Sequence, residues 1–186
     1  LYRPFSQKYL EAVLPSTVKK IAVLDRAKEV GTREPLFLDV CYALRNHKEL
    51  TFIGGRYSLS SKDTNPSHIN AVFEELKKDA PKEEFTIGIE DDVTNLSISP
   101  IDIHVDADYT SCLFYGLGSD GTVGANKSTV KIIGNNTDLY SQAYFAYDSK
   151  KAGGVTRSHL RFGPTPIHSP YYINKADFIS CSQESY

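Results

Sequence analysis

Gly116-x-Gly118-x-x-Gly121, with Asp120 inside it, interrupts an apolar run and leads into a stretch of helical composition, within CLFYGLGSDGTVGANK at 112–127. A strand that turns tightly into a helix leaves the first N–H groups of the helix without carbonyl partners, and the helix dipole adds positive potential there. Glycines let a ligand come close to the backbone. The chemistry that suits such a turn is binding of a phosphate-bearing ligand.

Three ligand classes compete for it. A dinucleotide fingerprint has this glycine spacing, but it needs an acid about 20 residues on, at the end of the next strand. Asp138 precedes that strand and Asp148 comes late. An ATP-type loop needs Gly-Lys-Ser/Thr, and here Asn126 precedes Lys127-Ser128. The third class is a nucleotide-type ligand held by the turn and a distant lysine. Asp148-Ser-Lys-Lys151 ends a predicted strand, so Lys150 supplies a point charge to a phosphate. Asp120 is then an acceptor for a ribose or amide group. Glycines that merely shape a turn and lysines in water weigh equally on the residues alone.

The elements that must position these residues follow from periodicity. Helical spacing covers Ser6 to Leu14, with Tyr9, Leu10, Val13 and Leu14 on one side, and returns over Glu34 to Asn46. It appears again from Pro66, with Ile69, Val72, Phe73 and Leu76 on the face. Strands are expected at 20–24, at 50–53 (closed by Gly54-Gly55-Arg56) and at 84–89. Strands alternating with helices imply parallel pairing through right-handed crossovers. Glu90-Asp91-Asp92 reads as a solvated loop, followed by a junction whose Ile101, Ile103 and Val105 alternate with Asp102 and His104 as one short strand. A second unit then runs strand 112–116, helix 122–133, strand 138–147, a turn at Gly153-Gly154, strand 155–162 and a buried strand 176–180. The expectation is an α/β chain: a small parallel-sheet domain at 1–95, a junction at 96–109, and part of a second α/β domain at 110–186.

Charge and composition exclude several classes. The formal net charge of −2 over 186 residues gives no reason to expect nucleic acid or an anionic membrane as partner. No apolar run approaches the roughly 18 residues of a membrane span. Cys41, Cys112 and Cys181 are dispersed, which fits free thiols in a reducing compartment and no clustered metal or iron–sulfur site. Asn95-Leu-Ser, Asn126-Lys-Ser and Asn135-Asn-Thr match the glycosylation tripeptide by chance. The chain has no Met and opens on Leu1-Tyr-Arg-Pro-Phe5, so it is expected to be a piece of a longer protein.

With these residues in view, the chain resembles the pyruvate:ferredoxin (flavodoxin) oxidoreductases almost from end to end. Tyr2-Arg-Pro-Phe, Ile21-Ala-Val-Leu-Asp-Arg26, Glu34-Pro-Leu-Phe-Leu-Asp-Val40, Gly54-Gly-Arg-Tyr57 and Leu59-Ser-Ser-Lys62 carry the likeness in the first part. Gly116 to Lys127, Lys131-Ile-Ile-Gly134, Tyr144 to Lys151 and Gly153 to Gly163 carry it in the second. Tyr115, Ser58 and Asn135 depart from the usual Trp, Gly and Asp.

The resemblance implies an enzyme that uses thiamine diphosphate, magnesium and [4Fe-4S] clusters to convert pyruvate to acetyl-CoA and passes electrons to ferredoxin or flavodoxin. Those cofactors, and the catalytic residues, are expected in other parts of the polypeptide. The first unit is expected to be like the C-terminal domain of transketolases, and to brace a homodimer. The second is expected to begin a coenzyme A-binding domain, with Gly118, Ser119, Asp120, Gly121, Thr122 and Lys150 at the ligand. A cytoplasmic location, or a reducing energy organelle, is implied with it. A nicotinamide-dinucleotide domain and a non-catalytic assembly module remain the alternatives.

Overall fold

The computed structural model describes residues 3–27, 32–59, 62–90, 93–148 and 153–186. It is an α/β chain that divides into two compact units, Leu1–His104 and Val105–Tyr186.

In the first unit, strands β1 (Lys20–Asp25), β2 (Thr51–Tyr57), β3 (Glu84–Ile87) and β4 (Ser97–Ile98) form one sheet in that order. Every pairing in it is parallel, as the strand–helix alternation requires. Helices α1 (Gln7–Val13), α2 (Pro35–Ala43) and α3 (Pro66–Lys77) complete it. Ile53, Val72, Phe85 and Ile87 form one buried cluster, and Val23, Val40 and Leu44 another. Asp25, at the end of β1, accepts the Leu36 and Phe37 N–H groups at 3.2 and 3.0 Å. The carboxylate thereby caps α2, where Pro35 needs no partner and Glu34 supplies no side-chain cap.

Four expectations change here. In α1 the packed residues are Leu10 and Leu14, one turn apart; Tyr9 and Val13 are 73% and 74% exposed. The inward face of α3 is Ala71, Val72 and Glu75 with Leu76 beside it, and Phe73 points to water. Gly54 and Gly55 lie inside β2 and do not close it. A Cβ on Gly55 would stand 2.3 Å from the Phe85 ring, so the glycine makes room for the largest buried side chain. The short strand of the junction is Ser97–Ile98, paired to β3, whereas 101–107 form no strand. Of the acidic run, Glu90 is exposed, and Asp91 and Asp92 lie outside the described residues.

In the second unit, β5 (Thr110–Leu117), α4 (Thr122–Asn136), β6 (Tyr140–Tyr147), β7 (Val155–Gly163) and β8 (Phe178–Cys181) follow in turn. The sheet order is β6-β7-β5-β8. β7 is antiparallel to both β5 and β6, while β8 runs parallel to β5 at the edge. β8 was expected to be buried, but Phe178 and Ile179 are 52% and 59% exposed. The opposite face of β7 carries His159 and Arg161, both buried. Arg161 donates to the Ser169 and Tyr171 carbonyls and to Gln142, which pins the segment after β7 against the sheet.

Candidate functional site: a cleft at the glycine turn

β5 delivers the chain to the turn. Ser119 and Gly121 both adopt left-handed backbone, at φ 76° and 89°. For Gly121 the conformation alone demands glycine, since a Cβ there would meet nothing within 4 Å. Gly116 is needed for space: a Cβ would lie 2.7 Å from the Thr122 side chain and 3.0 Å from the Asp120 carboxylate. The start of α4 therefore sits directly on the strand. The Gly118 N–H donates to the Gly154 carbonyl at 2.8 Å, tying the turn to the connection between β6 and β7.

Asp120 organises the turn. Its carboxylate accepts the Leu117 N–H and the Thr122 N–H, each at 2.8 Å, and the Ser182 hydroxyl at 3.2 Å. The Thr122 hydroxyl is a further donor. These donors, the Thr122 N–H foremost, hold the Asp120 carboxyl below the usual carboxylate range although the side chain is exposed. Two amides that a phosphate at the turn would use thus already serve a carboxylate of the chain itself.

The pairing registers place Gly116, Thr156 and Tyr147 in one row across β5, β7 and β6. Thr156, nearly buried, donates its hydroxyl to the Gly116 carbonyl at 3.1 Å. Above this row lies a cleft of about 500 Å³ lined by Leu117, Gly118, Ser119, Asp120, Gly121, Val123, Tyr147, Asp148, Gly154, Val155 and Thr156. That volume is in the range of small-molecule sites.

The structure therefore brings four of the expected residues together: Gly118, Ser119, Asp120 and Gly121 line the cleft. Thr122 is the first residue of α4 and packs over Gly116, outside the lining. Lys150 and Lys151 lie outside the described residues. The ends of β5 and β6 do share a rim, but β7 stands between them. This removes the adjacent parallel β-α-β unit that a dinucleotide fingerprint needs. Val123, Tyr147 and Thr156 were not expected at the site. Tyr147 was legible as the last residue of a strand, but only the sheet order brings it into one row with Thr156 and Gly116. Among the described residues no group of His, Cys, Asp and Glu is arranged to hold a metal ion.

Residues 111–186 match the family described as "Pyruvate ferredoxin/flavodoxin oxidoreductase". Over its full length the chain is 58% identical to the pyruvate-flavodoxin oxidoreductase of Enterobacter agglomerans and 55% identical to the pyruvate:ferredoxin oxidoreductase of Moorella thermoacetica. It is also 51% identical to the mitochondrial pyruvate dehydrogenase [NADP(+)] of Euglena gracilis, again along the whole chain. It spans 16% of the length of the first two relatives and 11% of the third.

Proposed function

The chain belongs to the pyruvate ferredoxin/flavodoxin oxidoreductase family, and on that premise we propose that it serves an enzyme converting pyruvate and coenzyme A to acetyl-CoA and carbon dioxide. In this reading the parallel-sheet unit braces the assembly, a homodimer, and the second unit binds coenzyme A. Electrons leave to ferredoxin or flavodoxin. Thiamine diphosphate, with magnesium, supplies the carbanion chemistry at the 2-oxo acid, and [4Fe-4S] clusters carry the electrons; both are assigned to parts of the polypeptide beyond these residues. The dispersed cysteines Cys41, Cys112 and Cys181 suit no cluster.

The observation that carries the coenzyme A assignment is the cleft. It lies at the carboxyl ends of β5 and β6, where α/β sheets take their ligands, and its rim is a backbone turn with two left-handed residues. In this reading its residues bind and orient the ligand. Gly118, Ser119, Gly121 and Lys150 are assigned to ligand contact, and Asp120 and Thr122 to building the turn. In the intact enzyme, Lys150→Ala is expected to raise the KM for coenzyme A about tenfold, a loss typical of one charge-assisted contact. Release of labelled carbon dioxide from pyruvate in a single turnover without coenzyme A should stay near wild type. An unchanged KM would refute the assignment.

A further inference from the structure

Ser119 carries strain. It is not a glycine, yet its backbone is left-handed at φ 76°, on the rim of the cleft between Gly118 and Asp120. That conformation is unfavourable for a residue with a side chain and persists only where the surroundings fix it. Two flanks do so here. On one, the Gly118 N–H is tied to the Gly154 carbonyl. On the other stands the Asp120 carboxylate. The Leu117 and Thr122 groups that donate to it lie within the turn, so they shape the turn without anchoring it to anything outside. The Ser182 hydroxyl, at 3.2 Å, comes from elsewhere in the chain.

Ser182 is itself held. It follows the last residue of β8, and its N–H donates to the Tyr115 carbonyl at 3.0 Å, one step beyond the Tyr115–Cys181 pair of the β5–β8 register. The ladder thus presents the hydroxyl at a fixed place beside the turn. Ser182 is not among the residues that line the cleft, so what it does for a ligand it does through Asp120. Asp120 and Ser182 are both exposed, so water replaces the lost bond and the effect of losing it is local.

We propose that Ser182 is a positioning residue for the ligand of the cleft: through Asp120 it holds the glycine turn, Ser119 included, in its binding shape. This rests on the cleft being the coenzyme A site. A rim fixed in advance loses no conformational freedom when the ligand binds, whereas an untethered one does.

Calorimetric titration of the intact enzyme with coenzyme A tests this. Ser182→Ala should weaken binding about fivefold, the size of one hydrogen bond, and Ser182→Thr, which keeps the hydroxyl, should restore most of the loss. In an Asp120→Ala background, which has no acceptor for the hydroxyl, Ser182→Ala should change binding by less than about twofold, because the two residues act as one unit. Hydrogen exchange over 117–122, measured without ligand, should quicken in Ser182→Ala and not in Ser182→Thr. Unchanged exchange, or a full loss of affinity from Ser182→Ala on top of Asp120→Ala, would overturn the proposal. Gly121→Val, which strains the turn directly at a left-handed position, separates this inference from the reading it rests on. Coenzyme A binding that responds to Gly121→Val and ignores Ser182→Ala sinks the positioning role alone. Binding that ignores both sinks the assignment of the cleft as well.

Discussion

The two units bury different kinds of atoms. In Leu1–His104 the interior is Val23, Leu44, Ile53, Phe85, Ile87 and their neighbours, and its ionic residues sit at strand and helix ends with partners. Arg56 meets Glu34 and Glu84, and Glu75 takes Lys78 and the Lys82 N–H. In Val105–Tyr186 the buried set includes Arg161, His159, Ser158, Asn126 and Thr156 beside Leu113 and Leu160. Buried side-chain atoms without a hydrogen-bond partner among the described residues occur in both units, among them Arg33 Nε in the first and the Asn126 amide nitrogen and Ser158 hydroxyl in the second. Apolar burial is non-directional and tolerates any close packing, whereas a buried polar group is stable only with its partners in place. The first unit's interior is thus mainly apolar, whereas the second mixes apolar and polar side chains and depends more on particular partners.

The largest test of that contrast is Phe85→Ala. Phe85 is wholly buried and packs against Gly55, so truncation should destabilise the first unit by about 3–5 kcal/mol. Urea unfolding followed by hydrogen exchange across β1 to β3 would show it; a loss below about 1 kcal/mol would break the apolar-core account. Arg161→Ala comes next. It strands the Ser169 and Tyr171 carbonyls that the guanidinium serves and should cost about 2–3 kcal/mol. Exchange should accelerate mainly over 169–173. Arg161→Lys keeps the charge without the planar fork and should recover less than half of the loss.

The smallest effect lies at the start of α3 and is pH-dependent. The Asn65 side chain accepts the His68 N–H at 3.2 Å, and the His68 ring nitrogen Nδ1 accepts the Asn65 N–H at 3.1 Å. That second bond exists only while Nδ1 carries no proton. Burial lowers the His68 pKa from 6.5, opposed by the charge of Asp63. A folded-state value below the unfolded one means that the unfolded chain binds more protons as pH falls. The cap's contribution should therefore be complete above pH 6.5 and fade as pH drops through the lower folded value. Asn65→Ala should remove about 1 kcal/mol at neutral pH. In His68→Gln, which removes the titrating ring, melting temperature against pH should be flatter between about 7 and 5 than in wild type, and identical slopes would refute the ring's role.

Much of the parallel unit was legible because its signals are local. Ser6 and Pro66 mark helix starts, and alternating helix and strand periods dictate parallel pairing. Part of what was missed there is rotational: the faces of α1 and α3 depend on neighbours, so Tyr9, Val13 and Phe73 turned outward. In the second unit each strand was legible but their order was not. Nothing near Val155 says that β7 inserts between β5 and β6. β7 buries Ser158, His159, Leu160 and Arg161 in succession, so alternation along it does not separate inside from outside. At the site the glycines showed the turn. An Asp two residues before a helical N–H is a self-bonding pattern, as Asp120 and Thr122 prove to be. Tyr147 and Val123 come to one cleft only through the sheet order, which no spacing encodes.

The Asp120–Ser182 bond also sets a sequence of events. Its two residues lie 62 positions apart, and it forms only when β8 has docked on β5. Contacts across so long a loop close after local ones, because the chain must first surrender the entropy of the intervening segment. During refolding the β5–α4 turn should acquire its helix early. The last donor to its carboxylate arrives only with the edge strand, so the cleft's rim should mature late and be among the first parts to loosen when β8 lifts away.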